Sequence, residues 1–112
     1  DPEILLNHLN RLLNFEPKRA GEYGLDLKVA LGIHPANALE NNEIIFRQLE
    51  KWVQNNDIIA IGEIGLDDNT ELEKEVFKKQ LELAERTESK VIIHTPRKNK
   101  LEVLKDIKEI VL

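Results

Sequence analysis

The stretch Ile58-Ile59-Ala60-Ile61-Gly62-Glu63-Ile64-Gly65-Leu66-Asp67 reads IIAIGEIGLD. It opens apolar and then sets a carboxylate between two glycines. A buried, unpaired carboxylate is costly, so burial normally brings a cation or hydrogen bonds with it. Glu63 therefore either faces solvent at a strand end or binds something positive. The flanking glycines favour the second, because glycine permits close backbone approach and unusual dihedrals, both common beside sites.

Two further runs resemble the DIIAIG strand at 57–62. They are LDLKVALGI (25–33), ended by His34-Pro35, and KVIIHT (90–95), stopped by Pro96. Strands are expected near 27–33, 57–62 and 90–95. Helical patterns lie around them. Asp1 and Pro2 suit a helix start, followed by Leu5, Leu9, Leu12 and Leu13; Pro17 interrupts the pattern and Gly24 suits its end. Residues 41–56 are amphipathic, with Ile45, Leu49, Trp52 and Val53 on one side. Residues 70–87 open with Thr70 and Glu73, a capping box, and carry Leu72, Val76, Phe77, Leu81 and Ala84. Residues 97–112 read helical through Leu101, Leu104, Ile107 and Val111. Doubly apolar strands alternating with helices indicate an α/β fold with a parallel sheet and right-handed crossovers. Periodicity leaves open whether that sheet closes.

The chain has 112 residues, 41% apolar and 33% charged, the balance of one globular domain. No apolar run approaches the roughly 18–20 residues of a membrane span, and nothing resembles a signal peptide. Cysteine is absent, which removes disulfides and thiolate metal sites. A cytoplasmic protein without membrane contact is expected. The net charge of −5 gives no support for non-specific nucleic-acid binding. The chain opens on DPEILL, inside a helical pattern and without Met, so its start is not expected to be the start of the gene.

His34, Glu63 and His94 each end one of the three strands, at spacings of 63 − 34 = 29 and 94 − 63 = 31. A βαβ unit takes about 30 residues, so the three fall at one level of the sheet. The C-terminal edge of a parallel sheet is where α/β proteins build their sites. Neighbouring strands lie about 4.8 Å apart, so Glu63 and His94 can reach one metal ion if their strands pair in sequence order. His34, two strands from His94, is expected about 9–10 Å from it along the sheet. Singly, each has an ordinary reading: a hydrogen-bonded loop histidine, a solvated acid, a satisfied core histidine. In register, the trio points to metal or catalytic use. Asp67 is either a turn acid or a site residue. Arg97, Lys98 and Lys100 either hold a phosphate at the rim or form a solvated helix start, the second slightly favoured. His8 reads as surface and Trp52 as core.

At Gly32-Ile33-His34-Pro35, Ile61-Gly62-Glu63-Ile64-Gly65-Leu66-Asp67 and Val91-Ile92-Ile93-His94-Thr95 the sequence resembles the TatD family of metal-dependent hydrolases. FKKQLELA (77–84) resembles the family's fourth helix, and residues 76–100 look most like its archaeal deoxyribonuclease branch. The resemblance implies a (β/α)8 TIM barrel of the amidohydrolase type. Within it, residues 1–112 form a single partial domain, strands three to five. It implies hydrolysis at a centre of one or two divalent ions (Zn2+, Mn2+ or Mg2+), with deoxyribonuclease activity in the family. Glu63 and His94 become metal ligands and catalytic residues. His34 becomes a substrate contact near a phosphate, with Arg97 and Asp67 as further candidates. Here Pro96 stands where many members have Arg, and Asp68-Asn69 where aromatic residues usually follow GLD. The family's HxH pair and its further His and Asp ligands do not occur, since the histidines are His8, His34 and His94. A piece of a longer protein is therefore expected, inactive alone, with open strand edges that favour self-association.

The leading expectation is a phosphodiesterase, with DNA or another phosphodiester as substrate. One carboxylate with imidazoles suits Zn2+ or Mn2+, whereas Mg2+ asks for more oxygen ligands. The alternative is a non-catalytic metal- or nucleotide-binding module from a degenerate barrel. An open flavodoxin-like signalling domain fits poorly, because it needs acids at the end of its first strand.

Overall fold

The three apolar runs become one parallel sheet. The computed structural model describes residues 1–24, 28–40, 42–54, 58–94 and 100–111. Its elements are α1 (Pro2–Asn14), α2 (Glu16–Glu22), β1 (Val29–Leu31), a 3-10 turn (Pro35–Asn37), α3 (Glu43–Trp52), β2 (Ile58–Gly65), α4 (Glu71–Thr87), β3 (Val91–His94) and α5 (Lys100–Val111). The strands pair in sequence order, β1-β2-β3, all parallel. Residues 25–27, 57 and 95, the outer ends of the expected strands, lie outside the described residues.

Local chemistry sets the helix limits. The Asp1 carboxylate accepts the Glu3 N–H at 2.9 Å, with Pro2 opening α1. Pro17 falls in the first turn of α2, where its missing N–H costs no helical bond. Thr70 Oγ1 accepts the Glu73 N–H at 3.1 Å and starts α4. The expected helix at 41–56 is shorter: α3 begins after Asn42, whose side chain is buried and donates to the Leu39 carbonyl at 2.6 Å.

Leu5, Leu9 and Leu13 of α1, Ile45 and Leu49 of α3, and Val76, Phe77 and Leu83 of α4 bury against Leu31, Ile61 and Ile64 of the sheet. Leu66 and Ile33, just past the strand ends, are buried with them. Trp52 packs against this core as expected, and His8 is exposed. The last helix keeps only Ile107 of its expected buried face. Val103 and Ile107 are the buried residues of α5, while Leu101, Leu104 and Val111 are exposed. Both stripes satisfy a period of 3.6, and the core takes the one containing the β-branched Val103. Among the described residues no helix is long and apolar enough to cross a membrane.

β2 differs most from its reading. It runs on to Gly65, so Glu63 lies within the strand, not beyond it. The β1–β2 register steps from Ile58 to Ala60, and the β2–β3 register from Gly62 to Ile64. Ile59 and Glu63 are thus extra residues in the ladders, and they are the two exposed residues of β2. A bulge leaves its extra residue unpaired and re-aims its side chain.

The bulge depends on close contact beside it. A Cβ built on Gly62 would lie 2.7 Å from Ile92 Cβ and 2.9 Å from the Ile92 carbonyl oxygen. Gly62→Ala must push β3 away and is expected to lower stability by roughly 1–3 kcal/mol, the usual range for overpacking. Urea unfolding measures this, and a loss under about 0.5 kcal/mol, the scale of a neutral surface change, would mean that the β2–β3 contact has slack.

Candidate metal centre

Glu63 reaches the site through that bulge. Its neighbour Gly62 makes the close contact with Ile92, and the Gly62–Glu63 peptide is cis. Gly65, two residues on, holds a φ of +143°, and a Cβ there would sit 2.8 Å from the His94 carbonyl oxygen. The glycines around the carboxylate therefore let β2 run hard against β3 while Glu63 turns outward.

His94 ends β3, paired with Gly65. His34 lies three residues past β1 and caps the 3-10 turn, its Nδ1 accepting the Ala36 N–H at 3.1 Å. The two imidazoles meet edge to face with ring centroids 4.4 Å apart. This is much closer than the spacing expected along the sheet, because His34 lies on the loop past β1, outside the ladder, and its ring reaches that of His94. One donor atom from each of His34, Glu63 and His94 falls within 4.8 Å of the others.

The hydrogen bond at His34 fixes its chemistry. Nδ1 can accept only with its lone pair free, so a neutral His34 ring carries its proton on Nε2. That nitrogen is then a donor. His94 Nε2 lies 3.5 Å from Asp67 Oδ1, a long contact that favours a proton on that nitrogen and leaves Nδ1 with the lone pair. Asp67 thus stands beside His94.

The loop carrying Asp67 is organised by Glu73, a residue read from sequence only as half of a capping box. The buried Glu73 carboxylate accepts the N–H groups of Asp67 at 2.7 Å, Asp68 at 3.2 Å and Asn69 at 3.1 Å. It passes over the N-cap residue itself and cradles the preceding turn. Asn69, at a left-handed φ of 59°, donates its side-chain amide to Asp106 of α5 at 2.7 Å. Lys74 also lies 3.6 Å from Asp106. Arg97 and Lys98 lie outside the described residues, and of Lys100 only the helical backbone is described.

The donor set suits a divalent ion. Ligands bound to one Zn2+ at ~2.0–2.2 Å stand no more than about 4.4 Å apart, so this cluster is close to a coordinating arrangement. One carboxylate and a neutral imidazole supply hard and borderline donors of the kind that Zn2+ and Mn2+ accept.

Parallel strands with a histidine–carboxylate cluster at their C-terminal ends place the chain among the α/β proteins that build their sites on that edge. The family model described as TatD related DNase matches residues 6–111, and the chain belongs to that family. An uncharacterized metal-dependent hydrolase of Methanocaldococcus jannaschii is 43% identical over 109 residues, covering 97% of this chain and 43% of its own length. One from Escherichia coli is 33% identical over 78 residues, covering 63% of this chain and 30% of its own. The crystal structure of a TatD-like protein from Archaeoglobus fulgidus superposes with a TM-score of 0.85 at 39% identity, over 98% of this chain and 46% of that one. The fold is therefore that of part of a TIM barrel, and the chain spans less than half the length of the relatives it matches.

The contact between the Asp67 loop and α5 has a pH signature. The Asn69 hydrogen bond, and then Lys74 and Lys105, hold the Asp106 carboxyl below its ordinary 3.8 against the opposing effect of burial. A depressed folded-state value means that the ionised carboxylate stabilises the fold above the ordinary value, and that this is lost as pH falls through the depressed one. The stability gap between wild type and Asp106→Asn is expected to be constant near neutrality and to close below pH 3.8. Thermal unfolding across pH tests it; a gap that persists in acid would remove Asp106 as the source.

Proposed function

We propose that the whole protein is a metal-dependent phosphodiesterase, a deoxyribonuclease in the most specific form of this reading. In it, Glu63 and His94 hold a divalent ion and His34 binds the substrate phosphate. The observation that carries this is the convergence of His34, Glu63 and His94 within 4.8 Å at the C-terminal ends of three parallel strands. Family membership supports the reaction class. The family is described as TatD related DNase, and this reading extends that activity to the present chain.

A bound divalent ion would supply an activated water and a positive charge facing the phosphoryl oxygens. The remaining work falls to the chain's own groups. The Glu63 carboxylate offsets the ion's charge. His94 offers Nδ1 while Asp67 faces Nε2, so the carboxylate keeps the ring in one tautomer and one orientation. His34 takes another role, because its Nδ1 is committed to Ala36. Its Nε2–H points a donor at an anionic oxygen, which is more useful for a phosphodiester than for a metal. Zn2+ and Mn2+ fit the donors better than Mg2+, which prefers an oxygen-rich shell.

The experiment is metal analysis with a nuclease assay on the full chain and two variants. Glu63→Gln keeps the shape of the side chain and removes its charge; it is expected to leave the fold intact and abolish hydrolysis. His94→Ala is expected to cut metal affinity by at least roughly tenfold, the lower range for lost ligation. Acid should weaken metal uptake in the wild type, because a proton competes for the ring nitrogen. Normal metal content and turnover in both variants would end this assignment.

A further inference from the structure

We propose that Gln80 is a positioning residue for His34: its buried amide holds both backbone groups of Ile33 and so fixes the imidazole that meets the substrate anion. The inference rests on the reading of His34 as a phosphate contact and extends it to a residue that touches neither substrate nor metal.

Gln80 lies on α4 in phase with Val76, Phe77, Leu83 and Ala84 and has no exposed surface. Its Oε1 accepts the Ile33 N–H at 2.6 Å, and its Nε2 donates to the Ile33 carbonyl at 3.1 Å. The same Nε2 lies 3.4 Å from the Val76 carbonyl of its own helix. An amide that gives and takes with one residue does what a neighbouring strand would do. Such a substitute is needed there, because the β1–β2 ladder pairs its last residues at Leu31 and Ile61. Ile33 lies past that end and is still fully enclosed. Without Gln80 its N–H and C=O would be buried without these bonds, an expensive arrangement.

Ile33 immediately precedes His34. On the other side, the His34 carbonyl accepts the Asn37 N–H at 2.8 Å and its ring accepts from Ala36. His34 is thus held from behind by an amide in α4 and from ahead by the 3-10 turn. The space for this contact is shared with β2. A Cβ on Gly32 would lie 3.1 Å from Gln80 Oε1 and 3.0 Å from the Gly62 nitrogen, beside Glu63. The amide therefore sits where β1, β2 and α4 meet, on the residue that precedes the histidine. Only a side chain with one donor and one acceptor at this reach can satisfy both Ile33 groups, which separates Gln80 from an apolar residue that merely fills the core.

The test is phosphate binding by calorimetry on the full chain loaded with Mn2+, using inorganic phosphate as the probe, with Mn2+ affinity measured separately. Gln80→Glu keeps the length and one acceptor but turns an oxygen against the Ile33 carbonyl. Gln80→Met is close in size and loses both bonds, so one of the two is available if the other fails to fold. His34→Ala is expected to weaken phosphate binding about tenfold, the scale of one hydrogen bond to a charged group. The folded Gln80 variant is expected to weaken it by a similar factor, with Mn2+ affinity unchanged. Combining it with His34→Ala should add no further loss, because both act through one imidazole. A Gln80 variant that only melts earlier and binds phosphate normally overturns the inference, as do losses that multiply in the double variant. If His34→Ala itself leaves phosphate binding unchanged, the reading of His34 fails and takes this inference with it. A loss in His34→Ala alone removes Gln80 and leaves the His34 reading standing.

Discussion

The contact of β2 with its two neighbours is the constraint on which the site depends. Gly62 passes under Ile92 with no room for a methyl group, and Gly65 passes under the His94 carbonyl at a φ that favours glycine. A strand pressed that tightly cannot keep an even ladder through an added residue, so Glu63 is expelled from the pairing. The same compression that forms the sheet therefore exposes the carboxylate. It also brings His94 level with Gly65, which places the ring beside the acid.

The sheet edge alone does not make a site. Loops past the strands would splay outward unless something held them, and two polar side chains of α4 do so. Glu73 gathers three successive N–H groups of the loop that carries Asp67. Gln80, two turns further along the same helix, grips the backbone ahead of His34. One helix thus sets the loop after β2 and the loop after β1. The α5 contact through Asn69 and Asp106 holds the first of these from outside. The site is built on a rigid helix, the kind of support that keeps functional groups in place.

Much of this was readable in the sequence, and the gaps have physical causes. The parallel strands, the helices and the level placement of His34, Glu63 and His94 follow from apolar runs and a repeat near thirty residues, whereas the pairing of the strands in sequence order entered only as a condition. The position of Glu63 inside β2 did not follow, because a bulge changes register without changing composition. The closeness of His34 to His94 was missed for a related reason: spacing along a sheet does not apply to a side chain on the loop past a strand's end. On α5 two stripes share Ile107, the expected Leu101–Leu104–Ile107–Val111 and the buried Val103–Ile107, and only packing chooses. Arg97 lies outside the described residues and adds nothing to either side of this comparison.

Glu73 and Gln80 carried a signal that a hydrophobic reading discards. The buried face of α4 runs Glu73, Val76, Phe77, Gln80, Leu83, Ala84, and its two polar members are exactly in phase with the apolar ones. A polar residue on a buried stripe must find partners or destabilise the fold. In an α/β unit the groups within reach of such a helix are the strand ends and the turns that follow them, because strand interiors already satisfy their own backbone. Polar positions in phase with a helix's core face therefore mark which loops are fixed from below. Here those loops are the two that bear His34 and Asp67, and the chain uses its buried polar groups where the candidate chemistry needs a stationary backbone.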